Sequence, residues 1–518
     1  MTGADEHTPE SIQTPDTVET RIGKLEFTDG APSAETVEKV YDQLDFSRGV
    51  NAFLNTFQGA SLAAMRKGYL EIGVKDNDFT LFSELMDSQS LFLTANCDTV
   101  YWWGFVDLSD GPMVIDVPQL SPPSAILGTV DDMWFQWVTD FGLPGPDRGH
   151  GGKYLLVPPR YEGPLPDSGF HVSHARTNRV TALARAFMID NEPSGPAAEV
   201  KESFRVYPYA PGAEGTAIGT YLAGDGPLAA DAEIPQTNFV ECSGKAFNTI
   251  PPNDYSYWEL INEVVQEEPA EAGDPEILGQ LASLGIVKGK PFKPDKRMKG
   301  ILEDAVAVGN ATARAALFAP REQEGEGFAY YEGSDWRNPL FAGGFEFLDP
   351  PPQITADGVV AADSDGARKI NSRIAFFYLA TGITPAMCMH LTGVGSQYLL
   401  ATRDSDGNDL DGAKTYKLHL PADIPYERFW SVMLYDNQTR SMLQTSQPKP
   451  DLGSQSGTVK ENDDGSIDVY FGPEAPKGAE NNWLQTVPGK GFLPILRFYS
   501  PKKSFFDKSW QPSEIEKV

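Results

Sequence analysis

The segment from Asn96 to Trp103 combines polar groups with large aromatic rings. It contains Asn96, Asp98 and Tyr101, and the adjacent tryptophans Trp102 and Trp103 end it. Carboxylate, amide and phenol groups among aromatic side chains are typical of small-molecule pockets, where a desolvated carboxylate can transfer protons. The alternative is structural, because short polar side chains in loops often bond backbone N–H groups and the rings then belong to the core.

Other parts of the chain add residues that could act with this segment. The predicted catalytic set is Asp98, Tyr101, Asp140 and His150. The predicted ligand-binding set is Asn96, Trp102, Trp103, Trp134, Trp137, Lys153 and Arg440. His150 and Lys153 belong to a glycine-rich stretch that could approach a ligand, although an exposed hairpin loop is the alternative. Sequence alone does not show which of these groups meet.

No metal or cofactor is predicted. His171 and His174 form a His-x-x-His pair, but no third ligand is spaced with them. The acidic run 404–412 lacks the terminal glutamate of a calcium loop, and its Asp-Gly pair predicts a β-turn. The glycine-rich stretch 149–153 leads into an apparent strand rather than a helix, which argues against a phosphate loop.

The elements that must position these residues alternate between helical and β-rich segments. Apolar residues at helical spacing predict a helical segment at 34–93 that packs with a second at 254–320. Short apolar runs between Gly and Pro signals predict β-sandwiches, with an inserted helix at Thr177 to Ile189. The predicted divisions are a disordered acidic leader (1–33), the first helical segment (34–93), an N-terminal β-sandwich domain (94–243), a helical domain (244–322) and a C-terminal jelly-roll domain (323–518).

Charge and composition limit the classes of partner. The 518 residues include 42 Lys and Arg against 73 Asp and Glu, a formal net charge of −31. This charge repels nucleic acid and anionic membrane surfaces, so neither is a predicted partner. The three cysteines are far apart and the first residues carry no export signal, so we expect a cytoplasmic protein with free thiols.

Several motifs in one order resemble the bacterial and fungal family that pairs domain of unknown function 1254 with domain of unknown function 1214. The matching stretches are Asn96-Cys97-Asp98-Thr99-Val100-Tyr101, Gly145 to Tyr154, Phe429-Trp430-Ser431, Tyr435-Asp436, Asn481-Asn482-Trp483, Leu496 to Tyr499 and Trp510-Gln511-Pro512. Cys97 replaces an arginine that is usual in the family pattern, which removes a potential anion-binding group. The resemblance implies an N-terminal immunoglobulin-like sandwich, a helical layer and a C-terminal jelly roll. It implies no settled activity.

Two functions of different classes follow from these observations. The first is a cofactor-independent hydrolase or lyase that acts on a small molecule or glycan in an aromatic-lined cleft. The second is a non-catalytic scaffold of two β-sandwiches that binds a glycan or a protein. The sequence leaves open whether the chain forms a homo-oligomer.

Overall fold

The structure is a computed structural model that describes residues 9–210, 218–224, 234–321, 329–341, 343–348, 350, 352–355, 358–360 and 366–518. The α-helices are α1 (Ala34–Glu71), α2 (Ser194–Ser203), α3 (Ile218–Leu222), α4 (Ser256–Glu267), α5 (Pro275–Ser283), α6 (Lys296–Phe318), α7 (Ile370–Leu379), α8 (Pro385–Cys388) and α9 (Lys503–Phe506). The N-terminal strands are β1 (Thr17–Thr20), β2 (Gly23–Thr28), β3 (Ala31–Pro32), β4 (Phe79–Leu81), β5 (Ser90–Leu91), β6 (Val100–Asp107), β7 (Met113–Val117), β8 (Ile126–Asp132), β9 (Trp137–Gly142), β10 (Gly152–Val157), β11 (His171–His174), β12 (Arg179–Ala186), β13 (Arg205–Pro208), β14 (Phe239–Glu241) and β15 (Phe247–Asn248). The later strands are β16 (Gln353–Thr355), β17 (Gly358–Val360), β18 (Ser396–Leu400), β19 (Tyr416–Leu420), β20 (Tyr426–Asp436), β21 (Asp451–Gly453), β22 (Ile467–Gly472), β23 (Trp483–Gln485), β24 (Phe492–Pro501) and β25 (Glu516–Lys517).

The described residues are mainly β, with helices beside several open multi-stranded sheets. In the N-terminal part, a six-stranded sheet has the order β14-β4-β6-β12-β8-β9, and a four-stranded sheet has the order β11-β10-β7-β13. Aromatic side chains fill the core here: Phe204 packs edge-on to Trp102, and Phe141 packs on Tyr154. Large rings between sheet faces bury much apolar area.

A layer of helices formed by distant parts of the chain lies beside these sheets. Ser33 caps the long helix α1 by accepting a hydrogen bond from Thr36 N–H. α1 packs on α4, where the rings of Phe53 and Tyr257 lie 4.4 Å apart. It also packs on α6, and a side chain at Gly49 would come 2.7 Å from Ala305 Cβ. The glycine therefore permits the close approach of the two helices.

The C-terminal part pairs two four-stranded sheets, with the orders β18-β24-β20-β21 and β23-β22-β19-β25. Alternate residues of each strand point to opposite faces of a sheet. One face of the first sheet packs on the second sheet through Trp430, Val432, Leu434, Leu496, Phe498, Leu418, Val469 and Phe471. The opposite face packs against the N-terminal part, which is why every residue of β24 is buried.

Three local predictions are wrong. Residues 17–32, predicted within a disordered leader, form the small sheet β1-β2-β3. The helical prediction for 34–93 holds only to Glu71, because β4 and β5 follow as strands. The predicted helix at Thr177 to Ile189 is mostly the strand β12, which lies between β6 and β8. Partners on both sides supply the backbone hydrogen bonds that a helix would have made internally.

Some sequence predictions concern residues that lie outside the described part. These are the first eight residues of the leader and the boundary between residues 322 and 323. Among the described residues, no helix has the length and apolar character needed to cross a membrane.

Candidate functional site

A cavity of about 480 Å³ lies between the N-terminal six-stranded sheet and the C-terminal β18-β24-β20-β21 sheet. Segments 337–340 and 376–395 contribute to its wall, together with the loop 92–96. Its size falls in the range of ordinary small-molecule sites. The chain thus builds this concave surface where its two β-rich parts meet.

Strand register explains which side chains form the floor of the cavity. One row across four adjacent strands consists of Trp103, Leu183, Thr129 and Asp140, because each residue pairs with the next in register. The neighbouring row consists of Tyr101, Arg185 and Leu127. All seven side chains line the cavity. The floor therefore carries an acidic group in one row and a basic group in the other.

The facing wall comes from two strands of the C-terminal sheet. Ser396, Tyr398 and Leu400 alternate along β18, and they pair in register with residues of β24. Ile495 and Arg497 of β24 also line the cavity. Because these positions are two residues apart, they share one face, while the intervening Leu399 and Leu496 enter the C-terminal core.

Asp140 is the acidic group of the floor. It is 5% exposed, and burial raises the pKa of its carboxyl group to about 6. Trp137 Nε1 donates a hydrogen bond to Oδ1 at 3.0 Å, and Thr384 Oγ1 donates to Oδ2 at 2.6 Å. These bonds favour the ionised form and limit the rise in pKa that desolvation causes. A carboxyl group with this pKa can gain or lose a proton near neutral pH.

Arg185 is the basic group of the floor. Its Nη2 donates to Ser396 Oγ at 2.9 Å, and its guanidinium group lies near the Tyr101 hydroxyl. Asn96 Nδ2 donates to the same hydroxyl at 2.9 Å. Among the described residues, no carboxylate forms an ion pair with Arg185. The Arg185 charge thus meets only neutral partners among the residues that the structure describes.

Asp98 lies beside the cavity rather than in its described lining. Its Oδ2 accepts hydrogen bonds from Ser431 Oγ at 2.8 Å and from Tyr499 Oη at 2.9 Å. Both partners belong to the C-terminal sheet, so Asp98 fastens the loop before β6 to that sheet. This position argues against the sequence prediction that Asp98 is the central catalytic carboxylate.

Asp98 also belongs to a small acidic cluster. Ligand atoms of Cys97, Asp98 and Asp451 lie within 4.8 Å of one another. Burial, and then the neighbouring Asp98, raise the pKa of Asp451 well above its usual value. These three residues could offer atoms to a cation, but the buried Arg497 beside them opposes one. The raised pKa favours the neutral carboxyl group of Asp451, which explains the cluster without a metal.

The remaining predicted residues are dispersed. Trp102 points to the opposite face of β6 and packs in the core, as strand alternation requires. Trp134 packs on α1, where a side chain at Gly59 would come 3.0 Å from its ring. Arg440 stacks on Tyr378 with 4.0 Å from its guanidinium carbon to the ring centroid. None of these three lines the described cavity wall.

The glycine-rich loop also lies outside the described cavity wall. His150 is exposed, and Lys153 on β10 lies 6.0 Å from the Phe170 ring centroid. Asp147 holds this loop by accepting hydrogen bonds from Gly142 N, Gly151 N and Tyr154 Oη. The structure therefore favours the exposed-loop interpretation of this stretch. Asn96, Tyr101, Trp103, Trp137 and Asp140 are the predicted residues that it does bring together.

Sequence reasoning missed Arg185, Thr384, Ser396, Tyr398 and Arg497. Arg185 was hidden inside the stretch predicted as a helix. The available signal was the alternation of small residues, Ala182, Ala184 and Ala186, with Leu183 and Arg185, which is the period of a strand. The residues of the facing wall carried no local signal, because only the packing of the two sheets places them opposite the floor.

One comparison with a solved structure agrees with this architecture. A crystal structure of a protein from Vibrio parahaemolyticus is 19% identical, covers 92% of this chain and 100% of that chain, and superimposes with a TM-score of 0.51. An uncharacterised protein from Burkholderia cenocepacia is 12% identical, covers 92% and 96% of the two chains, and gives a TM-score of 0.37. The first likeness is one of fold.

Among curated proteins, no match is found. The models of two protein families of unknown function match the chain, DUF1254 at residues 77–208 and DUF1214 at residues 395–503. The first match includes the strands of the cavity floor, and the second includes those of the facing wall. The chain therefore pairs an N-terminal DUF1254 domain with a C-terminal DUF1214 domain, as its motifs predict.

Proposed function

We propose that the cavity binds a small molecule and that Asp140 transfers a proton in a cofactor-independent lyase or hydrolase reaction. The observation that carries this proposal is the carboxyl group of Asp140, with a pKa of about 6, in the wall of a largely apolar cavity. A general acid or base is most effective when its pKa lies near the working pH. Trp137 and Thr384 hold the carboxyl group in one orientation, which preorganises it for proton transfer.

The residues of the described wall favour a lyase over a glycosidase. Asp140 is the single carboxylate among the described lining residues, whereas glycosidases ordinarily use a pair. The described lining also contains no His or Cys that could activate Ser396 or Thr384 as a nucleophile. An elimination or addition reaction needs one group that moves a proton, and Asp140 is suited to that role.

The test is activity profiling of the purified chain and of the Asp140→Asn variant. The substrate panel contains esters, amides, glycosides and compounds that can eliminate water or an alcohol. We expect any turnover to fall by at least about 100-fold in the variant, a typical contribution of general acid–base catalysis. The wild-type kcat/KM should show an inflection near pH 6. The Asp110→Asn variant, which removes an exposed carboxylate, is the control for loss of one negative charge.

A binding protein without catalysis is the second candidate. It is favoured by the two protein hydrogen bonds to Asp140, because they are also what a purely structural buried carboxyl group would have. In that case a ligand should bind in the cavity without turnover, and Asp140→Asn should leave its affinity within about threefold. Turnover that depends on Asp140 rejects this candidate. If no compound of the panel is turned over, the enzyme proposal is rejected.

We also propose the finer fold assignment that the motifs imply, an immunoglobulin-like N-terminal sandwich and a C-terminal jelly roll. The support is that each β-rich part packs two open sheets around apolar rings. A crystal structure of this chain, compared strand by strand with both architectures, tests the assignment.

A cytoplasmic location and the absence of a cofactor stay predictions. Free thiols at Cys97, Cys242 and Cys388 support a reducing compartment. Cell fractionation tests the location, and metal analysis and absorption spectra of protein purified from its source test the cofactor prediction. Size-exclusion chromatography with light scattering tests homo-oligomer formation.

A further inference from the structure

The Arg185 guanidinium group has no anionic partner within the described protein. Its positive charge lies in the floor of a largely apolar cavity, where Nη2 donates to Ser396 Oγ and the Tyr101 hydroxyl lies near. Both neighbours are neutral hydroxyl groups, so they leave the charge unbalanced. Buried charges in proteins are ordinarily paired, because desolvation without a counter-charge is costly.

Hydroxyl groups next to Arg185 add donors at the same end of the cavity. The Tyr101 oxygen accepts a hydrogen bond from Asn96 Nδ2 at 2.9 Å. Its own hydrogen is therefore available to an acceptor in the cavity. The Tyr398 side chain faces the cavity from β18, and its hydroxyl group bonds no other described residue. Arg185 and these two phenols therefore place several hydrogen-bond donors at one end of the cavity.

The two other arginines that line the described cavity, Arg497 and Arg337, differ in this respect, and Arg337 forms an ion pair with Asp335. Arg497 Nη1 donates to Tyr435 Oη at 2.6 Å, and Nη2 donates to Thr94 O at 2.9 Å. Asp98 lies near it and is among the groups that raise its pKa. Asp98 is therefore the acidic neighbour of Arg497. Arg185 is therefore the arginine in the described cavity lining whose charge has no acidic neighbour among the described residues and can pair with an anionic ligand.

From these observations we infer that the cavity binds a monocarboxylate with an apolar body, whose carboxylate pairs with Arg185. The inference rests on the proposed function and adds the class of ligand to it. One guanidinium charge compensates one negative charge, so a dianionic phosphate would keep an unbalanced charge in the cavity. Apolar side chains such as Phe92, Trp103 and Leu183 surround the rest of the space and suit an aliphatic or aromatic body.

The register also places the carboxylate relative to Asp140. Arg185 and Asp140 stand two strands apart and in adjacent rows of the floor. Strand spacing then separates their Cα atoms by roughly 12 Å. A ligand held by its carboxylate at Arg185 would present its far end to Asp140. Proton transfer would therefore occur away from the carboxylate.

Calorimetric titration of the full chain with matched probes tests the inference. Phenylbutanoate is compared with the neutral phenylbutanamide and with the dianionic phenylbutyl phosphate. We expect the carboxylate to bind at least about tenfold more tightly than the amide, as charge-assisted hydrogen bonds typically provide. The Arg185→Met variant should lose this preference. The matched control, Arg428→Met, removes an exposed arginine outside the described cavity wall and should keep it.

The outcomes separate this inference from the proposed function. Equal affinity for acid and amide, tighter binding of the phosphate, or a preference that survives Arg185→Met overturns the monocarboxylate assignment and leaves the cavity as a ligand site. Failure of every probe to bind rejects the cavity as a site for ligands of this size, and both proposals with it. Melting temperatures verify folding: Arg185→Met removes an unbalanced buried charge, so its melting temperature should not fall.

Discussion

The pH dependence of stability provides a quantitative test of the environment of Asp140. The pKa of its carboxyl group is about 6 in the folded chain, against an ordinary value of 3.8. The folded state therefore binds the proton more tightly than the unfolded state. A raised pKa contributes stability that is fully present below about pH 3.8 and is lost as the pH rises through about 6.

The magnitude follows from the difference between the two pKa values. From 3.8 to about 6 is about 2.2 units, and at 1.36 kcal/mol per unit the lost stability is about 3 kcal/mol. The neutral Asp140→Asn variant does not titrate, so it should not suffer this loss. Relative to wild type, it should gain about 3 kcal/mol between about pH 4 and about pH 7.5.

The assay is urea unfolding monitored by tryptophan fluorescence, with wild type and variant compared at several pH values. Subtracting the two curves removes groups that titrate in both proteins, including Glu268, whose pKa burial raises to about 7. Asp131 and Cys388 are present in both wild type and variant. Burial raises the pKa of each, and the charge of Asp140 adds to that rise in wild type. A stability difference that stays constant across this range would refute the desolvation argument and, with it, the role of Asp140 as a proton-transfer group.

Three further variants test the surroundings of the cavity. Asp98→Asn should lower the free energy of unfolding by about 1–3 kcal/mol, because it weakens the hydrogen bonds from Ser431 and Tyr499. Its affinity for phenylbutanoate should stay within threefold of wild type; lost affinity at unchanged stability would instead indicate that Asp98 contacts the ligand. Asp451→Asn should become progressively more stable than wild type as the pH rises, because the raised pKa of Asp451 makes its ionisation costly in the folded chain. Melting temperatures of both proteins at several pH values show whether this difference grows or shrinks. Gly128→Ala should destabilise the chain by about 1–3 kcal/mol in urea, because its Cβ would lie 2.1 Å from the Phe141 ring; full stability would contradict this packing.

Local patterns predicted a substantial part of the architecture. Motifs such as Asn96 to Tyr101 identified the family correctly, and alternating apolar runs predicted a mainly β chain. They failed where local preference and tertiary pairing disagree. Alanine favours a helix by itself, yet the run around Ala182 is a strand because β6 and β8 pair with it on both sides. Small side chains at these positions suit a closely packed sheet face.

For the candidate site, the sequence determined which chemical groups exist near one another along the chain. It placed Asn96 and Tyr101 on one short segment, and the spacing of Trp137 and Asp140 allows the hydrogen bond between them. Sequence could not distinguish Trp103, which lines the cavity, from Trp102, which enters the core. That distinction depends on which face of β6 meets which neighbour.

Only the tertiary structure decided that Asp140 and Arg185 share a floor and that Ser396 and Arg497 face them. About 400 residues separate Asn96 from Arg497, and no local rule relates such distant positions. Their meeting results from two sheets that must bury their remaining apolar faces against each other. Charge state is decided at the same level: the sequence contains an ordinary aspartate at 140, and burial between the sheets changes its proton affinity.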